Sequence, residues 1–190
     1  TFGEVVEEPT GKLLYQPFES RLPPEDRDFS DVWQTLATPS GITYFRSREK
    51  LMVVQNASVR ALSPVGQFSA AGLAKGVLYA HDSGLGLLRV DSDEASLVPG
   101  GEVFKNTRVT AIAEGEDGAL LVGTQGQGLF EFDPGSGELR SLGPALGSAE
   151  ILSVHQLGDG QIAVGTLRRG LFLLSRAGEL RLRMDRDFGL

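Results

Sequence analysis

Residues Gly118-Ala-Leu-Leu-Val-Gly123-Thr-Gln-Gly126-Gln-Gly128-Leu-Phe-Glu-Phe-Asp133 contain four glycines, and the reading of their spacing decides the fold. The middle, Gly123 to Gly128, looks like a loop that cradles phosphate. A dinucleotide fingerprint needs the order Gly-x-Gly-x-x-Gly at the opening of a helix, so that the helix N-terminus faces the pyrophosphate. Here the order is Gly-x-x-Gly-x-Gly, and Leu129-Phe-Glu-Phe-Asp133 continues with the alternation of a strand. These glycines read as turn residues.

The stretch is also repeated. Gly160-Gln-Ile-Ala-Val-Gly165-Thr166-Leu-Arg-Arg-Gly170-Leu-Phe matches it in register about 42 residues later, with Arg168 in place of Gly126. Gly76-Val-Leu-Tyr-Ala-His81-Asp82-Ser-Gly-Leu-Gly86 precedes it by the same interval, and a looser copy runs from Gly41 to Gln55. Arg46 and His81 stand in the early copies where Gly123 and Gly165 stand later. Each copy follows a short apolar segment, at Val32–Ala37, Phe68–Leu73, Val109–Ala113 and Ile151–Leu157. Strand-like segments also follow the last three copies, at Ser96–Val98, Glu138–Leu142 and Glu179–Met184. Dipeptides such as Asp117-Gly118 and Asp159-Gly160 separate the first two strands of a unit, as tight hairpins require.

No long window has a capped helical period. The unit is four antiparallel strands in about 42 residues, the size of a β-propeller blade. The expected fold is all-β: a propeller fragment with four complete blades over residues 28–63, 65–99, 107–143 and 149–185. Residues 1–20 supply the last two strands of a further blade. Unpaired edges at both ends predict self-association, or pairing with further blades of a longer chain. A start at Thr1 rather than Met points to such a longer parent.

Composition narrows the function. With a net charge of −7 and dispersed Lys and Arg, the chain would repel nucleic-acid phosphates and anionic lipid, so neither is an expected partner. There is no Cys, which removes disulfides, thiol catalysis and thiolate metal sites. The longest apolar runs are about four residues, too short to cross a membrane. The N-terminus begins with acids and carries no signal-peptide pattern.

The order of segments resembles the two-component-regulator propeller family. In it, blades run as an apolar strand, Asp-Gly, a strand ending in Gly-Thr, then Gly-Leu and a strand ending in Asp. Thr107–Asp133 and Glu150–Ser175 carry the match. Leu22-Pro-Pro-Glu-Asp-Arg-Asp-Phe-Ser-Asp-Val-Trp33, Leu97–Phe104 and Phe188-Gly-Leu190 are similar to further segments of sensor members. The resemblance implies a periplasmic or extracytoplasmic sensory region of a bacterial signalling receptor, one that binds a ligand without catalysis. A protein-interaction scaffold and a propeller lyase or lactonase are the alternatives.

Candidate chemistry is sparse. His81 and His155 have no third ligand at metal-binding spacing, and no cofactor is expected. A set of Ser153, His155 and Asp159 lies along one strand and its end, where neighbours alternate faces or run apart. Trp33 is expected to pack between blades, with a stacking platform for a sugar as the sharper alternative. Phe45, Phe68, Phe130, Phe132 and Phe172 read as core.

In propellers, loops between second and third strands crowd one face around the channel, together with loops joining successive blades. Rigidly mounted loops of that kind carry function. The second-to-third loops nominate Arg46, Arg48, His81, Asp82, Gln125, Gln127, Arg168 and Arg169 as ligand-binding candidates. Four of these are arginines in an acidic chain, and guanidinium forks suit carboxylate, sulfate or phosphate. The expected ligand is an anionic or saccharide small molecule.

Overall fold

A computed structural model describes residues 1–91 and 94–186, with nothing said of the Ala145 side chain. The resemblance noted at Phe188–Leu190 lies outside the described residues. Short apolar strands alternate with Gly-bearing turns, and sheets stacked face to face bury both faces of the inner strands wherever a blade has a neighbour on either side.

A two-stranded hairpin opens the chain: β1 (Gly3–Glu7) and β2 (Leu13–Pro17). Four antiparallel four-stranded blades follow. Blade 1 comprises β3 (Gln34–Ala37), β4 (Thr43–Arg46), β5 (Leu51–Gln55) and β6 (Ser58–Leu62). Blade 2 comprises β7 (Phe68–Ala74), β8 (Val77–Asp82), β9 (Gly86–Val90) and β10 (Ala95–Leu97). Blade 3 comprises β11 (Val109–Glu114), β12 (Leu120–Thr124), β13 (Leu129–Phe132) and β14 (Leu139–Leu142). Blade 4 comprises β15 (Ile151–Gln156), β16 (Ile162–Thr166), β17 (Gly170–Leu174) and β18 (Leu180–Met184). Within each blade the strands pair in chain order, and successive first strands β3, β7, β11 and β15 neighbour one another along the channel.

The core lies between blades. Phe2, Phe18, Leu22, Phe45, Met52 and Val59 join the hairpin to blade 1. Phe2 is the hub of that cluster, with ring centroids 5.0 Å from Phe45 and 5.9 Å from Phe18. Tyr44, Leu51, Val53, Phe68 and Leu78 bind blade 1 to blade 2. Tyr79, Leu87, Phe104, Val122 and Phe132 bind blade 2 to blade 3, and Leu121, Leu129, Ile151, Val164 and Phe172 bind blade 3 to blade 4. Four of the five phenylalanines expected as core are buried, and Phe130 packs half-buried at the edge of its cluster.

The repeated Gly-Thr pair does two jobs. The hydroxyl closes the turn into the third strand: Thr124 Oγ1 donates to Gly128 O at 2.7 Å and accepts from Gln127 N at 3.2 Å. Thr166 does the same with Gly170 O and Arg169 N. Ser47 and Asp82 fill the same place in blades 1 and 2, each receiving backbone N–H groups of its own turn. The glycine permits close approach, since a Cβ on Gly123 would stand 2.6 Å from Ile151 Cγ2 of the next blade. Gly128 has φ +91°, which only glycine adopts without strain. Residues 116–118 form a 3-10 turn between the first two strands of blade 3, and β12 starts at Leu120.

Candidate functional site

Three of the first strands share a defect in their pairing. In blades 2, 3 and 4 the register skips one residue: Phe68 pairs with Asp82 and then Ala70 with His81. Val109 pairs with Thr124 and then Ala111 with Gly123, while Ile151 pairs with Thr166 and then Ser153 with Gly165. A β-bulge of this kind re-aims the skipped side chain. The skipped residues are Ser69, Thr110 and Leu152, and Trp33 takes the equivalent place before Gln34, which pairs with Arg46. All four line one cavity of about 690 Å³, at the ends of the first strands.

This corrects the expectation for Trp33. Strict alternation would send it between blades, but it stands just outside the ladder and is 58% exposed in the cavity wall. The Arg48 guanidinium carbon lies 5.7 Å from its ring centroid.

The cavity is cationic. Arg46, Arg48 and Arg108 line it, and no Asp or Glu does so among the described residues. Arg46 is 7% exposed. Its Nε donates to Gln34 Oε1 at 2.6 Å and its Nη1 to Phe68 O at 3.0 Å. Gln34 in turn clamps the neighbouring blade, with Nε2 donating to Ala71 O at 3.1 Å and Oε1 accepting from Ala71 N at 3.0 Å. Burial, and then the charge of Arg48, hold the Arg46 guanidinium down to about 10, so it remains a cation at neutral pH.

His81 lines the same cavity yet is fully buried, with both ring nitrogens engaged. Nε2 lies 2.9 Å from Phe104 O and Nδ1 lies 2.7 Å from Ser69 Oγ. Burial lowers its pKa against the opposing pull of the Phe104 carbonyl and the Asp82 charge. Asp82 is spent on structure: its carboxylate accepts from the backbone N–H groups of Val65, Gly66 and Gly84 at 2.7–2.9 Å.

The remaining candidates lie elsewhere. Gln125, Gln127, Arg168 and Arg169 do not line the cavity. The Gln125 backbone N–H donates to Arg108 O at 2.9 Å, which ties its turn to the start of β11. Gln127 and Arg168 are exposed. Arg169 reaches back to donate to Leu146 O at 2.7 Å and covers the Phe172 ring at 5.3 Å. Ser153 and His155 share the outward face of blade 4, while the Asp159 carboxylate accepts from Gln161 N in the turn beyond.

Sequence reasoning missed Arg108 and the bulge residues. Arg108 sits in a loop joining two blades, where the sequence carries no repeated pattern to mark it. Ser69, Thr110 and Leu152 left no signal, because a bulge is invisible to a count of alternating positions.

No family model matches the chain, and no curated protein does so either. Solved structures share its fold. The extracellular domain of a proposed one-component system from B. thetaiotaomicron is similar with a TM-score of 0.65 and 22% identity, over 82% of this chain and 22% of that one. The extracellular domain of a proposed hybrid two-component system from the same organism gives 0.67 and 19%, over 95% and 25%. An inactive variant of virginiamycin B lyase from Staphylococcus aureus, solved with quinupristin, gives 0.70 and 13%, over 92% and 60%. The chain thus spans about a quarter or less of the two extracellular domains and under two thirds of the lyase. At these identities the likeness establishes a β-propeller fold.

Proposed function

We propose that this chain is a ligand-sensing propeller region of a bacterial signalling receptor, placed outside the cytoplasm, and that it holds an anionic or saccharide small molecule without converting it. One observation carries the reading: successive blades each deliver a bulge-position residue into one cavity that arginines also line. A fold shared with extracellular domains of signalling systems supports the same reading. Ligand contacts spanning adjacent blades would convert occupancy into a change of blade geometry.

The fold shared with virginiamycin B lyase favours one second reading, a propeller lyase. A lyase needs an acid–base group in reach of its substrate. Among the described lining residues His81 is the only titratable group besides the arginines, and both its nitrogens are engaged.

A thermal-shift screen with organic acids, sugars and amino acids tests the proposal, with Trp33→Ala as the control. The expected result is a compound that raises Tm in the parent, fails to do so in the variant, and is recovered unchanged by chromatography. Recovery of a cleaved product would favour the lyase, and an absence of any stabilising compound would overturn the sensory reading.

A further inference from the structure

Arg46 is a buried cation with no carboxylate within ion-pair distance among the described residues. Its fixed hydrogen bonds go to neutral oxygens, Gln34 Oε1 and Phe68 O, and its Nη2 has no hydrogen-bond partner among the described residues. Burying an ion without a counter-charge is strongly unfavourable. A second cation beside it makes the arrangement worse, and Arg48 is such a neighbour. The net charge of −7 gives acids ample opportunity to pair with these arginines, as they do for Arg140 with Glu131 and Arg183 with Asp185. The cavity excludes them instead. Such an arrangement is explained if the counter-charge arrives from outside.

The geometry points to an oxyanion subsite at Arg46 and Arg48, filled by a carboxylate or sulfonate carried on a ring that lies against Trp33. This rests on the sensory reading and deepens it by naming the ligand's anchoring group. Arg46 is pre-aimed: Gln34 and Phe68 O hold its guanidinium plane, so an arriving anion meets a donor that needs no ordering. Gln34 is the positioning residue, since it grips Arg46 with one amide oxygen and the Ala71 backbone with the whole amide. Arg48, exposed, supplies the second donor and already lies over the indole, so an anion drawn to it comes to rest beside the Trp33 face. Apolar wall from Trp33, Phe68 and Leu152 suits a ring body better than a bare inorganic ion.

The chain has a single tryptophan, so its intrinsic fluorescence reports this cavity directly. The test titrates Trp33 emission with two acid and neutral pairs, benzoate against benzyl alcohol and glucuronate against glucose, which separate an aromatic from a sugar acid. The expected result is a saturable change with the acid of at least one pair, at least tenfold tighter than its neutral counterpart and weakened by salt. Arg48→Gln is exposed and should fold normally, and it should weaken the acid at least tenfold with unchanged Tm. Arg46→Gln should also weaken the acid at least tenfold, with a change in Tm because its bonds to Gln34 and Phe68 O are lost, while Gln34→Leu should weaken the acid and leave the neutral compound unaffected. Equal binding of acid and neutral partner, or acid binding indifferent to Arg48→Gln, would overturn the oxyanion subsite and leave the sensory reading standing. No saturable change with either acid would also overturn it, and the screen above then decides the sensory reading separately.

Discussion

The Ser69 hydroxyl is held 2.7 Å from His81 Nδ1 and 2.7 Å from the carbonyl oxygen of Val109 in the next blade. It therefore ties blade 2 to blade 3 beneath the cavity. The Phe104 carbonyl can only accept, so Nε2 of His81 carries a hydrogen. In the neutral ring Nδ1 is then an acceptor, and one hydroxyl hydrogen faces two acceptors. Protonation would satisfy all three contacts at once, but burial opposes it and keeps the pKa below the ordinary value.

The sign follows from that depression. Between the folded pKa and the ordinary value near 6.5, the unfolded chain binds more protons than the native one. Stability contributed by neutral His81 is therefore complete above about pH 6.5 and is lost as pH falls through the folded pKa. Urea unfolding from pH 8 to 5 should show a decline of up to about 1.4 kcal/mol per pH unit. His81→Gln should flatten it, and matching slopes in parent and variant would count against this role.

Thr124 is fully buried, and its hydroxyl both donates and accepts within one turn. Thr124→Val keeps the shape and the backbone bond from Thr124 N to Gly128 O, but removes the second donor to that carbonyl and the acceptor of the Gln127 N–H, which should cost about 1 kcal/mol in chemical denaturation. Thr124→Ser should cost less, since the bonding atom survives. A loss in the serine variant equal to that in valine would show that the methyl group's packing dominates.

Gly123→Ala should destabilise by about 1–3 kcal/mol, because its new Cβ meets Ile151 Cγ2 in a close-packed junction. The double variant with Ile151→Ala should be less unstable than the sum of the two single changes. Strict additivity would mean that the glycine is needed for some other reason.

These two residues explain how much of the molecule was legible. Gly123-Thr124 and its copy Gly165-Thr166 recur because turn closure and close approach are local demands repeated in each blade, and repetition makes such demands visible. The blade fold was legible for that reason. Part of the candidate site was legible too, because Arg46 at the end of β4 and Arg48 in the turn after it were nominated from that place and both line the cavity. Trp33 was not, since it stands just before the β3 ladder rather than within its alternation, and Arg108 was not, since it lies in the loop between blades 2 and 3. The burial of Asp82 could not be foreseen either, as its carboxylate bonds to Val65 and Gly66 in the loop that precedes β7. Arg169 was nominated for its charge, yet its partner is a carbonyl supplied by the preceding inter-blade loop.

The outward face of blade 4 carries the last prediction. His155, Ala163, Leu173 and Leu182 pair in one row across its four strands, and Ser153, Gly165, Leu171 and Met184 pair in the next. On blade 3 the equivalent face presents Ala111, Leu121, Leu129 and Leu142, all buried against blade 4. The same apolar pattern on blade 4 thus has the character of a blade-stacking face, with Leu182 42% exposed. At the opposite end, the β1–β2 hairpin turns Val5, Leu13 and Tyr15 outward, each more than half exposed. Two apolar faces at opposite ends would allow a head-to-tail contact between copies, an arrangement that generates open chains unless the rotation closes. Light scattering on this 190-residue chain should show association that grows with concentration. Leu173→Asp with Leu182→Asp should return it toward monomer while leaving the circular dichroism spectrum of the sheets in place. A monodisperse monomer at all concentrations would show that the exposed rows are too small or too interrupted by His155 and Ser153 to drive assembly.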